Sequence, residues 1–355
     1  MSFSYGTSKD APQVLKLLEG ESYKGDLRII FTRRDDPVES LLKENDGSVT
    51  GVVRDSEDRI IATISLIPRQ MYIGGELKSV AYITGYKKDQ SYKKIINWRK
   101  VFLKISEIGY FDACFCCFVG DNDMIIKMLS KRRAKLPHAI PICKLEAFIY
   151  NPALKVKDPH PELQFKQGTE DSVSGITGFI SAQGKGRDLF HKLDSVDDIK
   201  GLKAEDFYCL IRDGKPVAAA AIWNRQDVKQ YYLKECRGKM KLLRCLNPLL
   251  SLLGFIRLPA DNTKVNLAYI SFAEAENDDP GLMTSLLCRI LKEAKKDYDA
   301  VVISAVPTSK KFTVLKKIRG IRITHYIAQL DMSSINNIPP AAIDGENTDL
   351  ECALL

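Results

Sequence analysis

The sequence predicts an α/β protein of two related halves, each built on a mixed sheet, and two tripeptide repeats and the length carry that expectation. Ala81-Tyr82-Ile83 returns as Ala268-Tyr269-Ile270, and Phe111-Asp112-Ala113 returns as Tyr298-Asp299-Ala300, both after 187 residues. Each copy reads apolar strand, polar loop, helix, apolar strand, over the same 31 residues (112 − 81 and 299 − 268). Self-similarity at a period far longer than that of solenoid repeats implies a duplicated domain. The 355 residues are room for two such domains, each long enough to bury its own core.

The first half, residues 1–150, opens with a helical stretch from Asp10 to Leu18. Strands follow at Ser48 to Val53 and Arg59 to Ile67, joined by the turn Asp55-Ser56-Glu57-Asp58, and a second hairpin turns at Gly74-Gly75. Its return strand, Glu76 to Thr84, leads into a polar loop from Gly85 to Tyr92 and a helix from about Lys93 to Ile108. The apolar strand Phe111 to Val119, a helix over about Asp123 to Lys131 and a closing strand near Cys143 to Tyr150 complete the half. Residues 151–162, rich in proline and charge, read as a linker.

The second half, 163–332, repeats the order. It has strands Phe207 to Arg212, Pro216 to Trp223 and Ala268 to Ala275, a helix Gly281 to Lys295, a strand Ala300 to Val306 and a closing strand Ile323 to Asp331. Ile61-Ala62 matches Val217-Ala218 at an offset of 156, so about 31 extra residues (187 − 156) lie within 225–258. That insert carries Lys234, Arg237, Lys239, Lys241 and Arg244, then an apolar run from Leu249 to Ile256. A cationic segment beside an apolar one suits a membrane surface. A helix covering a seam with its lysines in solvent is the commoner arrangement, and is the expectation here. Residues 333–355 form a tail whose end, Leu350 to Leu355, reads as a docking strand.

Composition narrows the class. With 45% hydrophobic and 28% charged residues and no stretch long enough to cross a bilayer, the chain reads as globular. Met-Ser-Phe-Ser-Tyr at the start lacks the basic and apolar regions of a signal peptide, so the expected compartment is the cytoplasm. The nine cysteines include Cys114, Cys116 and Cys117 within one strand, without the C-x-x-C spacing of zinc or redox sites. They read as reduced core residues, and no metal is expected. The net charge of +8 favours polyanions, yet the lysines and arginines are spread along the chain and nucleic acid is not indicated.

Strand, polar loop, helix, strand, helix, closing strand is the order of the GNAT acyltransferases, and both halves resemble that family. Tyr82-Ile83-Thr84-Gly85 followed by Ser91-Tyr92-Lys93-Lys94 is similar to the end of the family's central strand and its cofactor loop. Gly120-Asp121-Asn122 resembles the Asn before the family's late helix, and Leu129 to Pro137 a stretch of a bacterial group of paired GNAT domains. The run Ala218 to Ala221 with Ile222-Trp223, and Leu246-Asn247-Pro248, look like the same group. The resemblance implies two tandem GNAT-like acyl-CoA N-acyltransferase domains. N-myristoyltransferases, another paired-GNAT family, also end in apolar residues, as Cys352-Ala353-Leu354-Leu355 does here. Their buried terminal carboxylate serves as base.

The sequence departs from the pattern at chemically loaded positions. Ile96 and Trp98 stand where loop glycines bring backbone N–H groups to a pyrophosphate. Leu129 and Lys316 stand where many relatives have the Tyr that protonates the leaving thiolate. Charge separates the halves. Lys87, Lys88, Lys93, Lys94, Arg99 and Lys100 form a cationic collar at the first helix start, where a phosphate-bearing ligand is stabilised. The second copy has Glu274, Glu276, Asp278 and Asp279, which repel a pyrophosphate.

The resulting expectation is that the first half binds acetyl-CoA or another acyl-CoA, through Gly85, Tyr86, Lys87, Lys88, Tyr92, Lys93, Lys94 and Asn122. The second half shapes a site for an amine acceptor, small molecule or peptide. Glu274, Glu276 and Tyr92 are the candidate catalytic groups, with Tyr86 and His138 beside them. The alternative is a degenerate pair that binds CoA or another anion without transfer. Gly178 to Gly186 fails the phosphate-loop spacing and reads as a turn. The C-terminal Cys-Ala-Leu-Leu fits a prenylation box, but its flank is acidic.

Overall fold

The computed structural model describes residues 1–20, 26–120, 136–247, 251, 255–336 and 339–355. Instead of two separate sheets, one 12-stranded mixed sheet runs through both halves. Six strands lie on one side: β1 (Ser2–Tyr5), β3 (Val49–Arg54), β4 (Ile60–Ile73), β5 (Glu76–Lys88), β6 (Ala113–Val119) and β15 (Ile321–Asp331). Their counterparts, from the opposite edge inward, are β8 (Gln164–Gln167), β9 (Phe207–Arg212), β10 (Lys215–Trp223), β13 (Leu267–Ala275), β14 (Ala300–Ala305) and β7 (His138–Tyr150).

The closing strands have changed sides. β15 pairs with β6, β7 pairs with β14, and the two meet antiparallel at the centre, where Leu145 faces His325. Each half thus completes its sheet with a strand from the other, which leaves no unpaired edge at the seam. A 3-stranded sheet adds a second stitch: β2 (Leu27–Thr32) pairs with β11 (Gln230–Cys236), which pairs with β12 (Thr263–Lys264). The insert therefore spans the seam with a strand. Its helix, α5 (Gly238–Cys245), follows afterwards.

In both halves the central parallel pair separates after a short contact. β5 and β6 pair from Val80–Ala113 to Ile83–Cys116, and β13 and β14 only from Leu267–Ala300 to Tyr269–Val302. At the point of separation each central strand carries a bulge. Gly85 sits in the left-handed region at φ +60° and Phe272, 187 residues later, at φ +55°. The partner strand steps from Thr63 to Ser65 in one half and from Ala219 to Ala221 in the other. The repeat visible in sequence thus extends to a backbone kink.

Glycine relieves strain at the first bulge, where the second half tolerates Phe272 in the same backbone region. An added Cβ at Gly85 would lie 3.1 Å from the Ser65 Oγ, and L-residues pay about 1–2 kcal/mol for that backbone region. Gly85→Val is expected to lower the unfolding free energy by about 2 kcal/mol, since β-branching worsens the crowding. Urea denaturation checks this, and a change below half a kilocalorie would mean that the bulge relaxes.

Several local expectations change. β5 continues to Lys88, because Lys87 and Lys88 pair with Thr63 and Ala62, so part of the predicted polar loop is strand. The helix behind it, α3 (Trp98–Ser106), starts later than Lys93 because Asn97 caps it, accepting from the Lys100 N–H. Gly178 lies inside α4 (Val173–Gly184) and not in a turn; apolar Val173, Ile176 and Ile180 are buried on one face. Residues 350–355 dock without forming a strand. Cys352–Leu354 make one 3-10 turn, with Ala353 and Leu354 fully buried. Cys352 is buried and its thiol is pushed up to about 12 by burial, which removes it from reach of lipidation. No helix among the described residues is long and apolar enough to cross a membrane. The predicted helix over 123–131 and the motif residues 129–135 lie outside the described residues.

Candidate functional site

A small cavity lies beside the first-half bulge, against β3, β4 and β5. Its floor is Thr63 and Ser65 of β4, Thr84 and Gly85 of β5 and Thr50 of β3. Its roof is Val14 and Leu18 of α1 (Ala11–Glu19), Phe31 and Arg33, and Pro37 and Leu41 of α2 (Pro37–Leu42). Local sequence sets these helices. Asp36 caps α2 by accepting from the Val38 and Glu39 N–H groups, and Pro37 fits its first turn. The Thr63 hydroxyl donates to the Gly85 carbonyl at 2.8 Å and holds the bulge.

Beside the cavity, a buried charge cluster joins the halves. Glu44 accepts from Arg33 at 2.6 Å and from Arg69 at 2.6 Å, and Arg225 of the second half lies 3.1 Å away. All four side chains are at most 5% exposed. Burial alone would raise the Glu44 pKa. The guanidinium groups of Arg33, Arg225 and Arg69 override it and hold the carboxyl far below its ordinary range. Arg225 stacks over Trp223 at 4.3 Å.

Lys229, next along the same connection, is fully enclosed. Its ammonium donates to Cys352 O at 3.2 Å and Leu355 O at 2.7 Å and lies over the Tyr269 ring. Burial pushes its pKa down to about 7, against the pull of Glu44. Arg69 donates to Leu354 O, so tail, insert and first half meet at one point. None of these residues was singled out in the sequence. They are far apart along the chain, and no periodicity marks a lone charged residue as buried.

The second half has the equivalent groove, and its own tail takes up part of it; a cavity of about 190 Å³ remains beside the bulge, lined by Ala273, Glu274, Arg187, Lys311 and Asp349. The Phe272 N–H at the bulge donates to the Glu351 carboxylate at 2.8 Å. Asp349 accepts from Lys311 at 3.1 Å and from Arg187 at 2.9 Å. Arg187 also pairs with Glu274 at 2.8 Å and Asp278 at 2.6 Å. Burial drives Glu274 well above the ordinary carboxylate range, while Lys311 and Arg187 hold Asp349 below it against the same desolvation. Burial also raises Glu351, to about 7.

The structure separates the predicted residues into two groups. Gly85, Tyr86, Lys87, Lys88, Tyr92, Lys93 and Lys94 lie together around the end of β5 and the approach to α3. Tyr86 packs on Trp98 at 4.4 Å, Ile96 is buried, and the Lys93 ammonium donates to Gln90 O. The positions expected to be glycine in a phosphate loop thus hold packing residues. Lys93, Lys94, Arg99 and Lys100 are exposed and make a cationic surface without a glycine cradle.

Glu274 and Glu276 stand apart. β13 is five strand spacings from β5, about 24 Å across the sheet, so the structure does not bring them to the first-half cavity. Glu276 lies 3.7 Å from Arg212, and Asp279 caps α6 (Pro280–Ala294), accepting from the Gly281 and Leu282 N–H groups. His138 begins β7 opposite Asp331. Asn122 lies outside the described residues.

No protein-family model matches the sequence, and no curated protein matches it. Solved structures do match the fold. Saccharomyces cerevisiae N-myristoyltransferase with bound myristoyl-CoA and inhibitors is similar with a TM-score of 0.54 at 12% identity, over 92% of this chain and 80% of that one. The same enzyme with bound myristoyl-CoA gives 0.53 at 12%, over 93% and 82%. A conserved Enterococcus faecalis V583 protein of unknown function, described as a probable N-acyltransferase, gives 0.51 at 9%, over 94% and 73%. This chain has the two-lobed GNAT-type fold of N-acyltransferases.

Proposed function

We propose that the chain is an acyl-CoA-dependent N-acyltransferase whose donor is held by the first half. The observation that carries this reading is the asymmetry of two equivalent grooves. In the second, the bulge N–H is taken by the chain's own Glu351; in the first, Gly85 lines a cavity. By analogy with the carboxylate oxygen that the Phe272 amide binds, the donor's carbonyl oxygen would sit at the Gly85 amide.

The acceptor nitrogen attacks the carbonyl carbon, the carbon–sulfur bond breaks, and the thiolate takes a proton. Tyr92, on the same loop as the collar, is the proposed proton source. The acceptor nitrogen's proton passes through solvent and restores Tyr92. The acceptor is a small-molecule or peptide amine.

The collar would bind the donor's phosphates, and calorimetric titration with CoA tests it. Lys93→Glu with Lys94→Glu is expected to weaken binding about tenfold, or 1.4 kcal/mol, while Glu276→Lys leaves it unchanged. Equal affinity in all three proteins would remove the first-half assignment. A second reading, ligand binding without transfer, is favoured by Ile96 and Trp98 being committed to packing. Binding of acetyl-CoA without release of free thiol in the presence of amines would establish it.

A further inference from the structure

The cavity at Gly85 is small and closed at one end by apolar side chains. Its volume is about 20 Å³, against the ~10–15 Å³ that a single water needs. Its far side is closed by Leu18, Leu41 and Pro37, all buried, together with Phe31. Behind Leu41 the core continues without a break into the seam, through Ile67, Met71 and Tyr82. A group lying in the cavity meets close-packed side chains after roughly two or three carbons.

A second observation concerns the floor. It presents the hydroxyls of Thr50, Thr63 and Ser65, and the Thr50 hydroxyl, on a residue only 3% exposed, has no hydrogen-bond partner among the described residues. A long hydrocarbon chain threaded here would seal that hydroxyl against methylene groups and leave its hydrogen bond unmade. A short acyl group, with its carbonyl at the bulge, places fewer methylene groups against Thr50.

We propose that this site accepts short acyl groups and excludes long ones, with Leu18 and Leu41 as the residues that set the limit. The proposal rests on the reading that the donor binds in the first half. It gives this chain a different donor from the myristoyl-CoA bound in the similar yeast enzyme. Leu18 faces the cavity from α1 and Leu41 from α2, so either can be shortened without touching the bulge or the collar.

The test is calorimetric binding of CoA, acetyl-, propionyl-, octanoyl- and myristoyl-CoA to the wild type, Leu18→Ala and Leu41→Ala. Wild type is expected to bind acetyl- and propionyl-CoA at least tenfold more tightly than the two long thioesters. At least one alanine variant should narrow that gap fivefold or more. A thermal melt of each variant shows whether it is folded, and Leu41→Val serves if Leu41→Ala is not. Binding of CoA with affinity that is flat or rises with chain length overturns this proposal and leaves the first-half assignment standing. No binding of CoA or any thioester overturns both.

Discussion

Glu44→Ala is expected to destabilise the protein by about 3–5 kcal/mol, the largest loss from any single substitution at the seam. The reason is the charge count around one carboxylate. Arg33, Arg69 and Arg225 all point at Glu44, and Lys229 lies in the same buried cluster. Removing the carboxylate leaves three guanidinium groups facing one another with little access to water. Desolvation and mutual repulsion then act together.

Urea unfolding of Glu44→Ala and Glu44→Gln at pH 7 measures the effect. Glutamine restores the shape but not the charge, so it should recover less than half of the loss. Full recovery by glutamine would mean that packing, and not charge, dominates the cluster. Because these residues come from both halves, the transition should remain single and shift as a whole.

Arg187→Met is the second large effect, and its size depends on pH. Arg187 is the shared cation of Glu274, Asp278 and Asp349, and only Lys311 remains for the two buried carboxyls once it is gone. A loss of about 3 kcal/mol is expected at pH 8, from uncompensated buried charge.

The sign follows from the directions of the shifts. The folded pKa of Glu274 is already raised above the ordinary 4.5, so the native state binds this proton more tightly and stability falls as pH rises above that value. Asp349 is depressed, so its contribution is present above the ordinary 3.8 and is lost as pH falls through its folded pKa. Without Arg187 both native pKa values move up. The variant should therefore lose more stability at pH 8 than at pH 5, where protonation relieves the repulsion. Denaturation at the two pH values decides this, and an equal loss at both would show that the arginine acts by packing.

Much of the scaffold was legible in the chain. The 187-residue repeat announced two equivalent strand–loop–helix units, and the structure extends it to the paired bulges at Gly85 and Phe272. Alternating and continuous apolar runs placed β3, β4, β9, β10, β13 and β14, because burial on one or both faces leaves a periodic mark in sequence. Other elements left no such mark. β2 and β11 each find their partner in the opposite half, so neither shows a local hairpin signal. The helix at Val173–Gly184 was hidden because Gly178, Gly184 and Gly186 suggested a turn.

The candidate site was legible only in part. Gly85 and the lysine collar stand in one continuous segment whose charge can be read directly. Glu44, Arg69, Arg225 and Lys229 span nearly 200 residues of sequence, and each looks like an ordinary surface charge until the seam closes over it. Glu274 shows the reverse: its position beside a helix start was readable, while its capture by Arg187 required the tertiary structure.

The sequence by itself determined that this protein has two related α/β units with opposite charge at their two loops, because duplication preserves spacing and charge is written residue by residue. Tertiary structure alone decided that the units share one sheet through exchanged closing strands, that the tail enters the second groove and takes the bulge N–H, and that a single carboxylate gathers three arginines at the seam. These are contacts between segments far apart in the chain. Their energy comes from desolvation and pairing on closure, which no local pattern of residues records.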